Sequence, residues 1–144
     1  MDIKQYQIEA EATKSNKFYC PWEFNFKLNS AEIEFTCQQA IDIHHAITGL
    51  STEGGEMLGV IKAAQFYNRP VDIINLDEEI GDMLWYIALY CNARNTTFEK
   101  IAALNNKKLK ARFPEKFTEF GANNRDLKNE RKILEEGSDE TKPG

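Results

Sequence analysis

Cysteine is scarce in this 144-residue sequence: Cys20, Cys37 and Cys91 are odd in number and show no C-x-x-C spacing. A disulfide framework and a zinc knuckle are both excluded as organising principles, and reduced thiols in the cytoplasm are the expectation. Basic charge is also short, with 18 Lys and Arg against 23 Asp and Glu. The resulting acidic balance lacks the basic footprint of a nucleic-acid binder. No apolar run approaches the ~18–20 residues of a membrane span, so no membrane partner is expected. The opening Met1-Asp-Ile-Lys-Gln5 has none of the apolar character of a signal peptide. The chain also lacks a Gly-rich phosphate loop, and neither of its acidic pairs carries the Glu-x-x-His of a di-iron bundle.

What is present is ordinary globular material. A hydrophobic content of 42% rules out global disorder, and the length predicts one domain, over residues 1–136, followed by a disordered tail over 137–144. Residues 2–14 read as a short helix. Residues 15–29 are rich in aromatics (Phe18, Tyr19, Trp22, Phe24, Phe26) and interrupted by Pro21, which predicts an irregular segment. Its rings seal a core edge or stack on a nucleobase.

Ser30 is a suitable N-cap for a helix over 31–48, whose apolar stripe is Ile33, Cys37, Ala40, Ile41, His44 and Ile47. Thr48-Gly49 reads as its Gly-terminated end, and Ser51 or Thr52 as the cap of a second helix reaching Tyr67. The apolar line of that second helix is Met57, Ile61 and Ala64. Asn68-Arg-Pro70 predicts a turn. A third helix spans about 71–93 on a core stripe of Ile73, Ile80, Met83 or Leu84, Ile87 and Cys91. Thr96-Thr-Phe-Glu99 opens a fourth, which Pro114 closes. Residues 115–122 read as a connector and 123–136 as a charged helix with Leu127 and Leu134 one heptad apart, packing against a neighbour.

Four acids stand at two matched spacings: Glu53 with Glu56, and Glu79 with Asp82. On a helix, i and i+3 share a face, so two such helices side by side would gather four carboxylates. Acids of that kind are most often a solvated face. Here, however, both lines run along the edges of core stripes, and Gly54, Gly55 and Gly81 lie between the acids although glycine costs ~1 kcal/mol in a helix interior. Four desolvated like charges would cost several kcal/mol each, against a net stability of ~5–15 kcal/mol. A hard divalent cation, which prefers oxygen ligands, removes the conflict. The fourth helix offers a complement in Asn105, Lys108 and Arg112, a neutral donor, a point charge and a bidentate fork at i, i+3, i+7.

These stretches resemble the motifs of a known family. Gly49-Leu50 with Glu53-x-Gly55-Glu56, Glu78-Glu79-Ile80-Gly81-Asp82-Met83-Leu84-Trp85-Tyr86, and Asn105-x-x-Lys108-Leu109-x-x-Arg112-Phe113-Pro114 are similar to the three motifs of the MazG-like all-α nucleoside triphosphate pyrophosphohydrolases. The opening Tyr6-Gln7 with Glu9-Ala10 and Thr13, and the closing Asn124-Arg125-Asp126-Leu127 with Glu130-Arg131, resemble the small phage-type members.

The resemblance implies an all-α, four-helix-bundle-like core with extra N- and C-terminal helices, assembled as a homodimer or homotetramer. It implies two or more Mg²⁺ (Mn²⁺ substituting) on Glu53, Glu56, Glu79 and Asp82. It further implies hydrolysis of a (deoxy)nucleoside triphosphate to the monophosphate and pyrophosphate, by a metal-activated water that attacks the α-phosphorus. Glu53 or Glu56 is the expected base, Asn105, Lys108 and Arg112 the phosphate side, and Tyr86 a substrate contact. Ala63 stands where pyrimidine-preferring relatives often carry an aromatic, a departure from their pattern. A cytoplasmic location follows, the host's if the chain is phage-encoded. Rival readings are a phosphoribosyl-ATP pyrophosphohydrolase, a dimeric dUTPase-like activity, or a helical oligomerisation module with a structural cation.

Overall fold

The computed structural model describes residues 1–15, 17 and 37–139, in which six helices and no strand occur. The aromatic segment 18–26 and the expected helix start at 31–36 lie outside the described residues, as do residues 140–144. The fold is all-α, as expected. The chain divides into two compact units, Met1–Phe98 and the part from Glu99 onward.

The first unit holds α1 (Ile3–Thr13), α2 (Cys37–Tyr67) and α3 (Ile73–Ala93). Asp2 caps α1 by accepting from the Lys4 amide, and Asp72 caps α3 by accepting from the Asn75 amide at 3.1 Å. These caps satisfy donors that a helix start leaves without partners. Asn68 and Asn95, both in the left-handed region at φ 50° and 51°, follow α2 and α3, a conformation asparagine tolerates better than most side chains.

The sequence places a helix break at Gly49, and the structure does not: α2 runs unbroken for 31 residues. Gly49 has no positive φ, so it serves no C-cap. Ser51 and Thr52 are not N-caps either. Their hydroxyls donate back along the helix to the carbonyls of Ile47 (3.0 Å) and Gly49 (2.9 Å), the mid-helix alternative for these residue types.

Both α2 and α1 pack on α3, and the core between them is built from small residues. Ala10, Ala40, Ala46, Ala88 and Ala93 are buried with Ile43, Leu89 and Cys91, which lets backbones approach closely. Burial pushes the Cys91 thiol up to about 11, leaving it a packing residue.

Polar bonds fix α1 along α3. Gln7 Nε2 donates to Asn92 Oδ1 and to the Thr96 carbonyl, both at 2.8 Å, and Trp85 Nε1 donates to Thr13 Oγ1 at 2.7 Å. Lys14 links the end of α1 to α2 through Asp42 at 2.9 Å, with Glu11 at 2.7 Å on its other side. Much of the expected apolar stripe lies outside this core. Ile47, Ile61, Ile73, Ile80 and Leu84 are exposed, as are Leu58, Phe66 and Ile74. Among the described residues of this unit, two paired helices with one short helix on them bury only one side of each.

The second unit continues α4 (Phe98–Arg112) and adds α5 (Glu119–Asn123) and α6 (Leu127–Asp139). The expected connector therefore contains a helical turn, capped by Thr118, whose hydroxyl accepts from the Gly121 amide at 3.0 Å. Asp126 accepts from the Asn129 amide at 3.0 Å at the start of α6. Helix α6 runs on to Asp139, three residues beyond the expected end. Gly137 is buried, and a Cβ there would meet Leu104 at 2.0 Å. Leu127, one of the two expected heptad positions, is exposed, while Leu134 is half-buried. What α6 buries instead is a carboxylate, Glu130.

Candidate active site

Glu53 and Glu56 lie one turn apart in the middle of α2, and Glu79 lies in the first half of α3, on the face α2 covers. One carboxylate oxygen from each of the three falls within 4.8 Å of the others. Glu56 is exposed, Glu53 half-buried and Glu79 buried. Three hard oxygens at that separation, one removed from water, match the donor set and spacing a small divalent cation takes.

The electrostatics agree. Burial holds the Glu79 carboxyl above the usual carboxylate range; the Asn75 amide pulls it down, while a hydrogen bond and charge from Glu53, and the charge of Glu78, push it up further. Like charges brought together without a cation answer by taking up a proton. Asn75, one turn before Glu79, donates from Nδ2 to Glu79 Oε1 at 2.9 Å, which orients the carboxylate. The sequence places Asn75 on the acidic line of α3, and its i−4 spacing to Glu79 is the signal for this bond.

Asp82, the fourth expected carboxylate, is exposed and does not join the cluster of three. It follows Glu79 by three residues, so it flanks the cluster on α3 without converging on it. It nevertheless acts on its surroundings. Its charge, after burial, raises the phenols of Tyr6 and Tyr86. Tyr6 reaches the site from α1, its hydroxyl donating to the Gly81 carbonyl at 3.3 Å. Among the described residues, nothing beyond the neighbouring turns of the same helix lies within 4 Å of where a Cβ would stand on Gly54, Gly55 or Gly81, so no close approach of another element accounts for glycine there.

Tyr86 is half-buried, and burial, then the charges of Glu53, Asp82 and Glu56, raise its phenol and keep it a proton donor. Its ring meets Trp85 edge-on at 5.1 Å and His45 at 5.6 Å. His45, beside the expected stripe, is thus part of an aromatic cluster adjoining the acids.

In the second unit Lys108 is half-buried and Asn105 exposed, both on α4. Arg112 is engaged: its Nε and Nη2 donate to the two oxygens of Glu130 at 2.8 and 2.6 Å. Arg125 Nη2 donates to the same carboxylate at 2.7 Å. Hydrogen bonds from Arg112 and Arg125 hold the Glu130 carboxyl at about 2, against the opposing effect of burial. Glu130 stands 18 residues beyond Arg112, so no local spacing announces the pair.

No match is found among curated proteins or solved structures. A family model does match, over residues 41–117, more than half of the chain and the whole span from Glu53 to Arg112. With three convergent carboxylates inside that span, as a divalent-metal-dependent family requires, the chain belongs to the MazG nucleotide pyrophosphohydrolase domain family.

Proposed function

We propose that the protein hydrolyses a (deoxy)nucleoside triphosphate to the nucleoside monophosphate and pyrophosphate with Mg²⁺, Mn²⁺ substituting. The observation that carries this reading is the convergence of Glu53, Glu56 and Glu79 within 4.8 Å, with Glu79 buried and held by Asn75. Glu53, Glu56 and Glu79 hold the cation, with Asp82 beside them. The bound metal supplies charge neutralisation at the phosphoryl oxygens and acidifies a water. Glu53 or Glu56 accepts a proton from the attacking water, whose oxygen bonds to the α-phosphorus as the α–β bridging bond breaks and pyrophosphate leaves. Tyr86 donates to the substrate. Lys108 and Asn105 serve the leaving diphosphate, an arrangement that stabilises charge as it develops. Arg112 acts there with the part of its guanidinium that Glu130 does not occupy.

A homodimer or homotetramer accompanies this reading. The large exposed apolar residues of α2 and α3, among them Leu58, Phe66 and Ile74, form the kind of surface that marks association. No helix among the described residues is long and apolar enough to cross a membrane. The cytoplasm, or a host's, is the compartment proposed.

Pyrophosphate release across the eight common NTPs and dNTPs with Mg²⁺ tests the activity and separates it from phosphoribosyl-ATP or dUTP-restricted hydrolysis. In ¹⁸O-labelled water the label is expected in the monophosphate. Label in pyrophosphate means attack at the β-phosphorus, and label in orthophosphate means γ-cleavage; either outcome sinks the mechanism.

A further inference from the structure

Gly49 sits inside α2 with an ordinary helical φ, so its backbone conformation does not call for glycine. Space does. A Cβ built at Gly49 would lie 2.1, 2.2 and 2.4 Å from Cε1, Cζ and Cδ1 of Tyr86. That is far inside van der Waals contact and runs along one edge of the ring, from its middle to the carbon bearing the hydroxyl. Gly54, Gly55, Gly59 and Gly81 show nothing comparable. The ring is confined elsewhere as well, by Trp85 at 5.1 Å and His45 at 5.6 Å. Tyr86 is therefore seated in a notch whose floor is the bare Cα of residue 49.

The notch also has a direction. Glu53 and Glu56 lie one and two turns beyond Gly49 on α2, and Asp82 one turn before Tyr86 on α3. Glu53, Asp82 and Glu56 are the charges the phenol feels. A methyl at residue 49 would collide with the ring of Tyr86 and displace it together with its hydroxyl.

We propose that Gly49 is the positioning residue for Tyr86: its missing Cβ lets the ring lie against the backbone of α2 and carries the hydroxyl to the carboxylate cluster, where it donates to an oxygen of the bound nucleoside triphosphate. This deepens the activity proposed above and rests on it.

The test is a double-mutant cycle on kcat/KM, with the nucleotide that the wild type turns over fastest among the eight common NTPs and dNTPs. Gly49→Ala and Tyr86→Phe are each expected to lose about tenfold, the size of one neutral hydrogen bond. The double variant should lose no more than either, because with phenylalanine at 86 there is no hydroxyl to misplace. Losses that multiply overturn the proposal. Mn²⁺ binding to the nucleotide-free chain, read by electron paramagnetic resonance, should stay within about threefold of wild type in Gly49→Ala. Loss of Mn²⁺ binding would mean that the acids moved instead and would also overturn it.

Thermal melts read the contact without activity. Gly49→Ala should lower Tm, and Tyr86→Ala should remove that effect in the double variant. If Gly49→Ala alone does not fold, recovery of folding in Gly49→Ala with Tyr86→Ala carries the same information. An effect of Gly49→Ala that is independent of residue 86 overturns the packing. A wild type inert with all eight nucleotides removes the underlying activity and this proposal together; an active wild type with multiplying losses removes this proposal alone.

Discussion

Two glutamates in this chain are equally hidden from water and have opposite electrostatic fates. Glu79 and Glu130 are each 5% exposed. Glu79 faces Glu53 and Glu56, is supported by one neutral amide, and is held above the ordinary carboxylate range. Glu130 accepts from two guanidinium groups and is held at about 2. Burial works against the charged form in both cases; at Glu79 it is the largest cause and prevails, whereas at Glu130 the two guanidinium groups overrule it. Glu130 is a completed interaction that braces the second unit, and nothing further is required of it. Glu79 is an incomplete one, in the cluster proposed to take up a cation. An acidic residue count could not separate the two roles.

The comparison is broken most forcefully at Glu79. Glu79→Gln is expected to lower kcat/KM by ~10³-fold, at the upper end for removal of one group that stabilises the transition state. It should leave metal-free stability equal or higher, because a like charge is gone. Mg²⁺ or Mn²⁺ should raise the wild-type Tm by mass action, and the variant should show a blunted rise. Equal metal-induced shifts in both proteins would remove the cluster as a metal site.

Next come Lys108 and Arg112 of α4, whose environments differ as the glutamates' do. Lys108→Ala should lower kcat/KM by ~10²-fold with helix content unchanged. Arg112→Ala should lose activity too, and should also lower Tm, because it leaves Glu130 buried with Arg125 alone. Circular dichroism melts beside kinetics make the distinction. An Arg112→Ala variant with wild-type Tm would show that the pair with Glu130 braces nothing.

The smallest effect is a pH dependence. Glu130 has its folded pKa lowered, so its contribution to stability is fully present above the unfolded value of 4.5 and is lost as pH falls toward about 2. Glu79 has the opposite sign: without metal, its raised pKa favours the fold at low pH, and that stability is lost as pH rises from 4.5 through the folded value. Metal-free melts of Glu130→Gln should flatten the acid limb only, and those of Glu79→Gln the limb above 4.5 only. If either variant alters both limbs, the two carboxylates are not independent.

Local spacing determined much of this protein from sequence alone. The i, i+3 pairs Glu53–Glu56 and Glu79–Asp82, the apolar periodicity, and the stops at Asn68, Asn95 and Pro114 act within one or two turns. They placed α1, α3 and α4 to within a few residues and put each acidic pair on one face of its helix, since helical geometry fixes those relations without knowing what packs where. Tertiary structure decided the rest. Gly49 reads as a helix end because glycine commonly ends helices, and only the ring of Tyr86, 37 residues away, shows that its use is space. Asp82 satisfies the same spacing rule as Glu56, yet it stays exposed beside the cluster, because convergence depends on how α2 faces α3. Arg112 looks like a free phosphate ligand until Glu130 closes on it. Each of these turns on which distant group a side chain meets and how much water is left around it, and a one-dimensional pattern carries neither quantity.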